Sequence, residues 1–352
     1  MTSSAFSTNE IQEVLQHYDF YQGKLDELSV VPQRLTNQNA RFRIGDKQWV
    51  IKRYDADKAP KNLALSHELQ KNLASEGFPT AKLELTRNGE SLVRRGQHLY
   101  SVHQWIQGRH HNHIETGETI SDKLICEVAA NLGRFHCIAS QHYPSRIEAD
   151  LAGAKALLQS PQDNANAICA KNRLGIHGDS LLKWKLFKSP MDRWLLATFP
   201  KFQRLAEQLA RIPLTQGSAL EEVVLTHNDI NWLNLIFDDH ESLIAIIDFD
   251  NIQFAPRQAE IGSAALVVAG GNTTHRSLFL EHYERSSGLS VDPDAVRISM
   301  LVRSARSFLW SMQAYRSKAV HDIDMLSTWM HFLDSTLDQF ISDPDFRHVF
   351  NN

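Results

Sequence analysis

Cysteine is scarce in this 352-residue chain, which holds only Cys126, Cys137 and Cys169. Three thiols cannot all pair, and none stands at a metal-ligand spacing. They point to reduced thiols in a cytoplasmic protein. Long apolar runs are missing as well: nothing approaches the ~20 residues a membrane helix needs. The first residues, Met1 to Leu15, lack a basic segment ahead of an apolar core, so no signal peptide is expected. Nor is there an excess of positive charge. Lys and Arg number 37 against 41 Asp and Glu, for a net charge of -4, which argues against a nucleic-acid partner. Internal repeats and low-complexity segments are absent. What remains, 42% hydrophobic and 22% charged, is ordinary for a globular protein, and the length suffices for two domains with their own cores.

The most informative stretch runs from Val223 to Asp250. An apolar run (Val223, Val224, Leu225) leads into His227-Asn228-Asp229, and Asn234 opens a second apolar run, Leu235 to Phe237. After a polar turn, Asp238 to Ser242, a third run from Leu243 to Ile247 ends in Asp248-Phe249-Asp250. Short apolar runs split by an Asp-rich turn read as a hairpin, whose ends bring Asp229, Asn234 and Asp248 near one another. One carboxylate can then orient or deprotonate a hydroxyl. An amide oxygen and a second carboxylate suit Mg²⁺, which prefers oxygen ligands. The alternative is a hairpin rich in Asp and Asn because turns favour them.

"HNDINWLN" followed by "IDFD" resembles the catalytic and metal-binding motifs of the protein-kinase-like fold. Asp250 after Asp248-Phe249, where protein kinases have Gly, points to the aminoglycoside phosphotransferase and choline kinase-like family of small-molecule kinases. The resemblance implies an α+β, two-lobed fold. A small N-terminal lobe (residues 1–107) with an antiparallel sheet and one helix would bind the nucleotide. A larger, mainly helical C-terminal lobe (108–352) would carry catalysis and the acceptor. It further implies that Asp229 accepts the acceptor's proton, that Asn234 and Asp248 hold Mg²⁺, and that Lys52, aligned by Glu68, neutralises the phosphates of ATP. Asn39, in a loop Thr36 to Asn39 without the usual glycines, matches the family's phosphate-side pattern. Gln104 and Ile106 would offer backbone groups to adenine. His136 would be structural, His227 would brace the catalytic loop, and Glu260 would replace a structural Asp of the large lobe. Asn231 stands where protein kinases place Lys, so that contact is absent or made otherwise.

Periodicity supplies the rest. Helices are expected over Thr8 to His17, Asn62 to Ser75, Ser121 to Ala139, Lys183 to Ala210, Pro293 to Ala319 and Asp322 to Ile341. Strands are expected over Leu28 to Leu35, Ala40 to Ile44, Gln48 to Tyr54, Pro79 to Leu85 and Glu90 to Arg94, with a further strand ending before Gly108. His110, His111 and His113 read as a polar loop. Arg303, Arg306 and Trp310 share one helix face, either as surface residues or as an anion-binding wall. Arg257, Arg306 and Trp310 are candidate acceptor residues. Beside these arginines, Asp322, Asp324, Asp334 and Asp338 do not make a clear polycation site. The expected function is therefore ATP- and Mg²⁺-dependent transfer to a hydroxyl of a small molecule. The alternatives are a catalytically silent nucleotide-binding regulator and a protein kinase.

Overall fold

Strand β3 (Lys47–Asp55) alternates strictly enough to sort its residues onto two faces. Trp49 and Ile51 join a buried cluster with Ile11, Val14 and Leu15 of helix α1 (Thr8–Leu15). Lys52 and Tyr54 point to the opposite face. In this computed structural model β3 lies inside a six-stranded sheet of order β1-β2-β3-β6-β4, with β5 also paired to β6. The other strands are β1 (Glu27–Val31), β2 (Gln38–Ile44), β4 (Leu83–Glu84), β5 (Val93–Arg95) and β6 (His98–Gln104). Every pairing is antiparallel. The structure describes residues 7–31, 38–55, 59, 62–143, 187–209, 211, 223–318, 320 and 322–350.

Helix α1 starts at Ser7, whose hydroxyl accepts from the Glu10 N–H at 3.1 Å. It is fixed to the sheet by a buried ion pair from Arg53 to Glu10 at 2.8 Å. Helix α2 (Leu63–Ser75) buries Leu69 and Leu73, as its four-residue spacing implies. The described residues divide into two compact units, one of residues 1–110 and 234–252, the other of 111–233 and 253–352. The first thus has a sheet and two helices, and completes itself with chain from far along the sequence.

That late contribution is the hairpin of β8 (Leu235–Phe237) and β9 (Leu243–Ile246). The first of the three apolar runs takes no part in it. Strand β7 (Val223–Thr226) pairs instead with β10 (Gln253–Pro256), in the second unit. Residues 38 and 39, expected in a polar loop, belong to strand β2. Thr36 and Asn37, the end of the first expected strand, Cys169 and the expected helical start at Lys183 lie outside the described residues.

The second unit is mainly helical: α3 (His113–Thr116), α4 (Asp122–His142), α5 (Pro190–Leu209), α6 (Arg257–Ala269), α7 (Thr273–Ser287), α8 (Pro293–Ser317) and α9 (Ile323–Ser342). The fold is therefore α+β, with an antiparallel sheet in the N-terminal region and helices in the C-terminal part. Helices α6 and α8 approach closely at Gly262, where an added Cβ would lie 2.8 Å from the Val296 carbonyl oxygen and 2.5 Å from Ser299 Cβ. Among the described residues no helix is long and apolar enough to cross a membrane.

Gly108 marks another close approach. A Cβ there would meet Ile236 Cγ2 at 2.5 Å and the Phe237 carbonyl oxygen at 2.6 Å. Next to it, Arg109 and Phe237 exchange backbone hydrogen bonds of 2.8 and 2.9 Å. Gly108→Ala is expected to part these backbones and to destabilise the protein by about 1–3 kcal/mol. The measurement is urea unfolding, where the midpoint should fall; an unchanged midpoint would show that the approach is not constrained.

Candidate functional site

Residues from two stretches far apart in sequence meet at Lys52 in the first unit. Its ammonium donates to Asp248 Oδ1 at 2.6 Å and to Asp250 Oδ2 at 3.1 Å. The Tyr54 hydroxyl donates to Asp250 Oδ1 at 3.0 Å. Tyr54 reaches that carboxylate because it lies two residues from Lys52 on the same strand face. Burial opposes the lysine's charge, but the carboxylates of Asp248 and Asp250 outweigh it and hold the amine protonated well above its usual range. Asp250 is itself pushed up by burial and by Asp248, against the pull of Lys52. One ammonium between two carboxylates leaves the cluster formally one charge negative.

Local backbone aims these groups. Asp248, two residues past the end of β9, has a φ of 67°, a left-handed conformation that Asp tolerates better than most residues. The turn Phe249–Asn251 that follows is 3-10 and brings Asp250 back toward Lys52. Asn234 sits at the same end of the hairpin, since its carbonyl accepts from the Ile247 N–H at 2.9 Å. Asn234 and Asp248 thus adjoin within the first unit.

The expected partnership of Lys52 with Glu68 is not formed. Glu68 is exposed on α2, and the lysine is held by Asp248 and Asp250. The neighbouring helix position, His67, turns inward and is 2% exposed. Its ring lies 6.0 Å from that of His103, on the same sheet face as Lys52. Asn39 pairs with Lys52 in the β2–β3 register, and its Oδ1 is buried without a hydrogen-bond partner. The Gln104 N–H bonds the Lys82 carbonyl at 2.8 Å and the Trp105 N–H that of Gln48 at 2.9 Å. Ile106 follows in irregular backbone.

In the second unit the loop after β7 is mounted on α6 by one carboxylate. Glu260 accepts from the backbone N–H groups of His227 and Asn228, and its Oε2 lies 2.7 Å from His136 Nε2. The other ring nitrogen of His136 is 2.6 Å from the Tyr283 hydroxyl. Glu260 and His136 therefore have the bracing places expected of them, and His227 takes part through its backbone N–H. Trp232 Nε1 adds a bond to the Val267 carbonyl at 3.0 Å. Asn231 donates to Asp229 Oδ1 at 3.0 Å, so an amide contacts the carboxylate where protein kinases place lysine.

The acceptor-side candidates separate. Arg257 is buried, donates to the Ser290 carbonyl at 3.2 Å and lies over the Tyr283 ring, which is a packing position. Arg306 is exposed and Trp310 is 51% exposed. His113 is not in a polar loop: it opens α3 with its ring against Trp232 and Phe332. Of the four acidic residues, Asp334 and Asp338 pair with Lys201, and Asp322 caps α9. Sequence reasoning missed the roles of Asp250, Tyr54, His67 and His103. Their one signal was the two-residue periodicity that sets Tyr54 beside Lys52.

Residues 27–298 match the model of a family described as a phosphotransferase enzyme family. No curated protein matches the chain. Among solved structures, the aminoglycoside phosphotransferase of Alicyclobacillus acidocaldarius superposes with a TM-score of 0.59 at 17% identity, covering 96% of this chain and 97% of that one. A spectinomycin phosphotransferase in complex with ADP and spectinomycin gives 0.65 at 13% identity, covering 96% and 99%. A Plasmodium vivax ethanolamine kinase gives 0.54 at 15%, covering 99% and 94%. At these identities the likeness shows a shared fold.

His67 generates a pH prediction. Burial first, then Lys52 and Lys71, hold it down at about 4 against an ordinary 6.5. Above 6.5 folded and unfolded chains are both neutral there. As pH falls from 6.5 toward 4 only the unfolded chain takes up the proton, so stability drops by up to about 3 kcal/mol. Replacement by leucine should flatten that part of the Tm–pH curve. An acid limb identical in His67→Leu would remove this histidine from the account.

Proposed function

Because the chain belongs to the phosphotransferase enzyme family, and is thus a phosphotransferase, we propose that it is an ATP- and Mg²⁺-dependent kinase of small molecules. It moves the γ-phosphoryl group to an acceptor hydroxyl. The observation that carries this reading is the Lys52–Asp248 bond, spanning 196 residues of sequence. It joins a cation fit for phosphates to a carboxylate that adjoins Asn234. The donors there are oxygens alone, and the Lys52 cluster has a carboxylate in excess of its ammonium. Both features fit a hard divalent cation, which needs few protein ligands because waters and phosphates complete its shell. Asn234 and Asp248 would hold it, and it would neutralise charge on the phosphates.

On this reading residues 1–107 handle the nucleotide, together with the hairpin that packs with them, and 108–352 supply the base and the acceptor site. Lys52, steadied by Asp250 in place of Glu68, neutralises phosphate charge. Asn39 lies on the phosphate side, and the backbone around Gln104 and Ile106 faces adenine. Asp229, oriented by Asn231, accepts the hydroxyl proton as the acceptor oxygen bonds the γ-phosphorus and the bond to the ADP oxygen breaks. Such transfer depends on alignment and charge stabilisation, with little covalent work for the protein. The solved structures of similar fold include enzymes for spectinomycin and ethanolamine, so hydroxyl acceptors of several kinds suit this scaffold.

Two measurements test the reading. Asp229→Ala should abolish ATP consumption across a panel of alcohols, sugars and hydroxy-amino acids, while calorimetry still detects Mg-ATP binding. Turnover within about tenfold of wild type, or ~1.4 kcal/mol, would reject Asp229 as the base. Asp248→Asn preserves the left-handed backbone and removes only the charge. It should weaken the Mg²⁺-dependent part of the stabilisation by ATP, which for wild type is about 2.7 kcal/mol at a hundred times the dissociation constant. Equal stabilisation of wild type with EDTA and with Mg²⁺ would favour a regulator without turnover.

A further inference from the structure

One partly exposed charged group in the second unit has a buried atom that lacks a partner. Arg303 lies on α8, with its Nε buried and without a hydrogen-bond partner. Among the described residues no ion pair forms to it. Buried polar atoms are nearly always bonded, and an unbonded one calls for a specific reason. Position supplies that reason. Ser299 and Met300 face α6 at Gly262, and Arg303 follows them by four and three residues, hence on the same side of α8. Helix α6 carries the loop with Asp229, fastened through Glu260 to Asn228 and through Val267 to Trp232. Like that loop, Arg303 thus lies against helix α6. Burial lowers its affinity for the proton, Asp229 raises it, and Arg306 lowers it again. From Arg303 the same face runs outward to exposed Arg306 and half-exposed Trp310.

Resting on the kinase reading above, we infer that Arg303 binds an oxyanion of the acceptor itself, a carboxylate or phosphate carried near the hydroxyl that is phosphorylated. A guanidinium presents donors in a fixed fork that matches such groups. The pairing of Asp334 and Asp338 with Lys201 removes two of the acidic groups a polycationic acceptor would need. The site so described selects hydroxy acids over aminoglycoside-like polyamines.

The test compares paired acceptors in wild type and Arg303→Met: glycerate and glycerol 3-phosphate against glycerol, and homoserine against 3-aminopropanol. Wild type is expected to have the higher kcat/KM for the acid members. Arg303→Met should lower those values about tenfold more than the values for their neutral or cationic partners, through KM, as expected for loss of a charged hydrogen bond. Arg303→Lys, which keeps the charge without the fork, should restore part of the preference. A wild type that prefers the members without an acid overturns the inference. So does an equal loss on every acceptor carried by kcat, which assigns Arg303 to the transferred phosphoryl group. Absence of turnover on every acceptor overturns the kinase reading itself, and this inference with it. Ligand-free Arg303→Met should melt no lower than wild type, because the guanidinium has no bond to lose. A lower Tm would reveal a structural partner and overturn the inference independently of any acceptor.

Discussion

A buried ammonium, that of Lys52, constrains the first unit more than any other group. An amine that little exposed keeps its charge only when counter-charges lie against it, and here both come from a single turn, Asp248 to Asp250. The left-handed backbone at Asp248, the 3-10 turn after it and the Tyr54 hydroxyl all act on the position of those carboxylates. Because Asp250 takes up the lysine, α2 is released from supplying an acid. It presents His67 to the sheet and carries Glu68 on its exposed side.

The second unit has a counterpart in Glu260. One carboxylate accepts from two successive backbone N–H groups and meets His136, which fixes the loop of Asp229 on α6. Close packing at Gly262 then fixes α8 against that same helix. The proposed base and Arg303 are thus both referred to α6. A change in the seat of that helix would move them together.

Much of this was legible in the sequence where short-range pattern and function coincide. Alternation in "WVIKRY" set Lys52 and Trp49 on opposite faces, and the leucines of α2 gave its buried stripe. Resemblance marked Glu260 and His136, because bracing a loop needs a set spacing from the motif. The errors came where long-range pairing decides. Nothing local says that β7 joins β10 while β8 joins β9, since all are short apolar runs of similar composition. Glu68 and His67 are adjacent on one helix, and only the seat of α2 on the sheet determines which turns inward. Likewise the arginines of α8 repeat at helical spacing, but their burial differs through the packing of α6.

The first unit is discontinuous, and this bears on how the chain folds as it is made. Its opening 110 residues emerge long before the hairpin that completes them. Synthesis at about 5–20 residues per second delays Asp248 behind residue 110 by on the order of ten seconds. During that interval the Pro79 carbonyl has no Ile246 N–H to accept from, and the Arg109 backbone lacks Phe237. Lys52 likewise waits in the sheet without either of its carboxylates. The nascent sheet is therefore held back from its final packing, and its closure is coupled to the arrival of the same residues that are proposed to hold the metal.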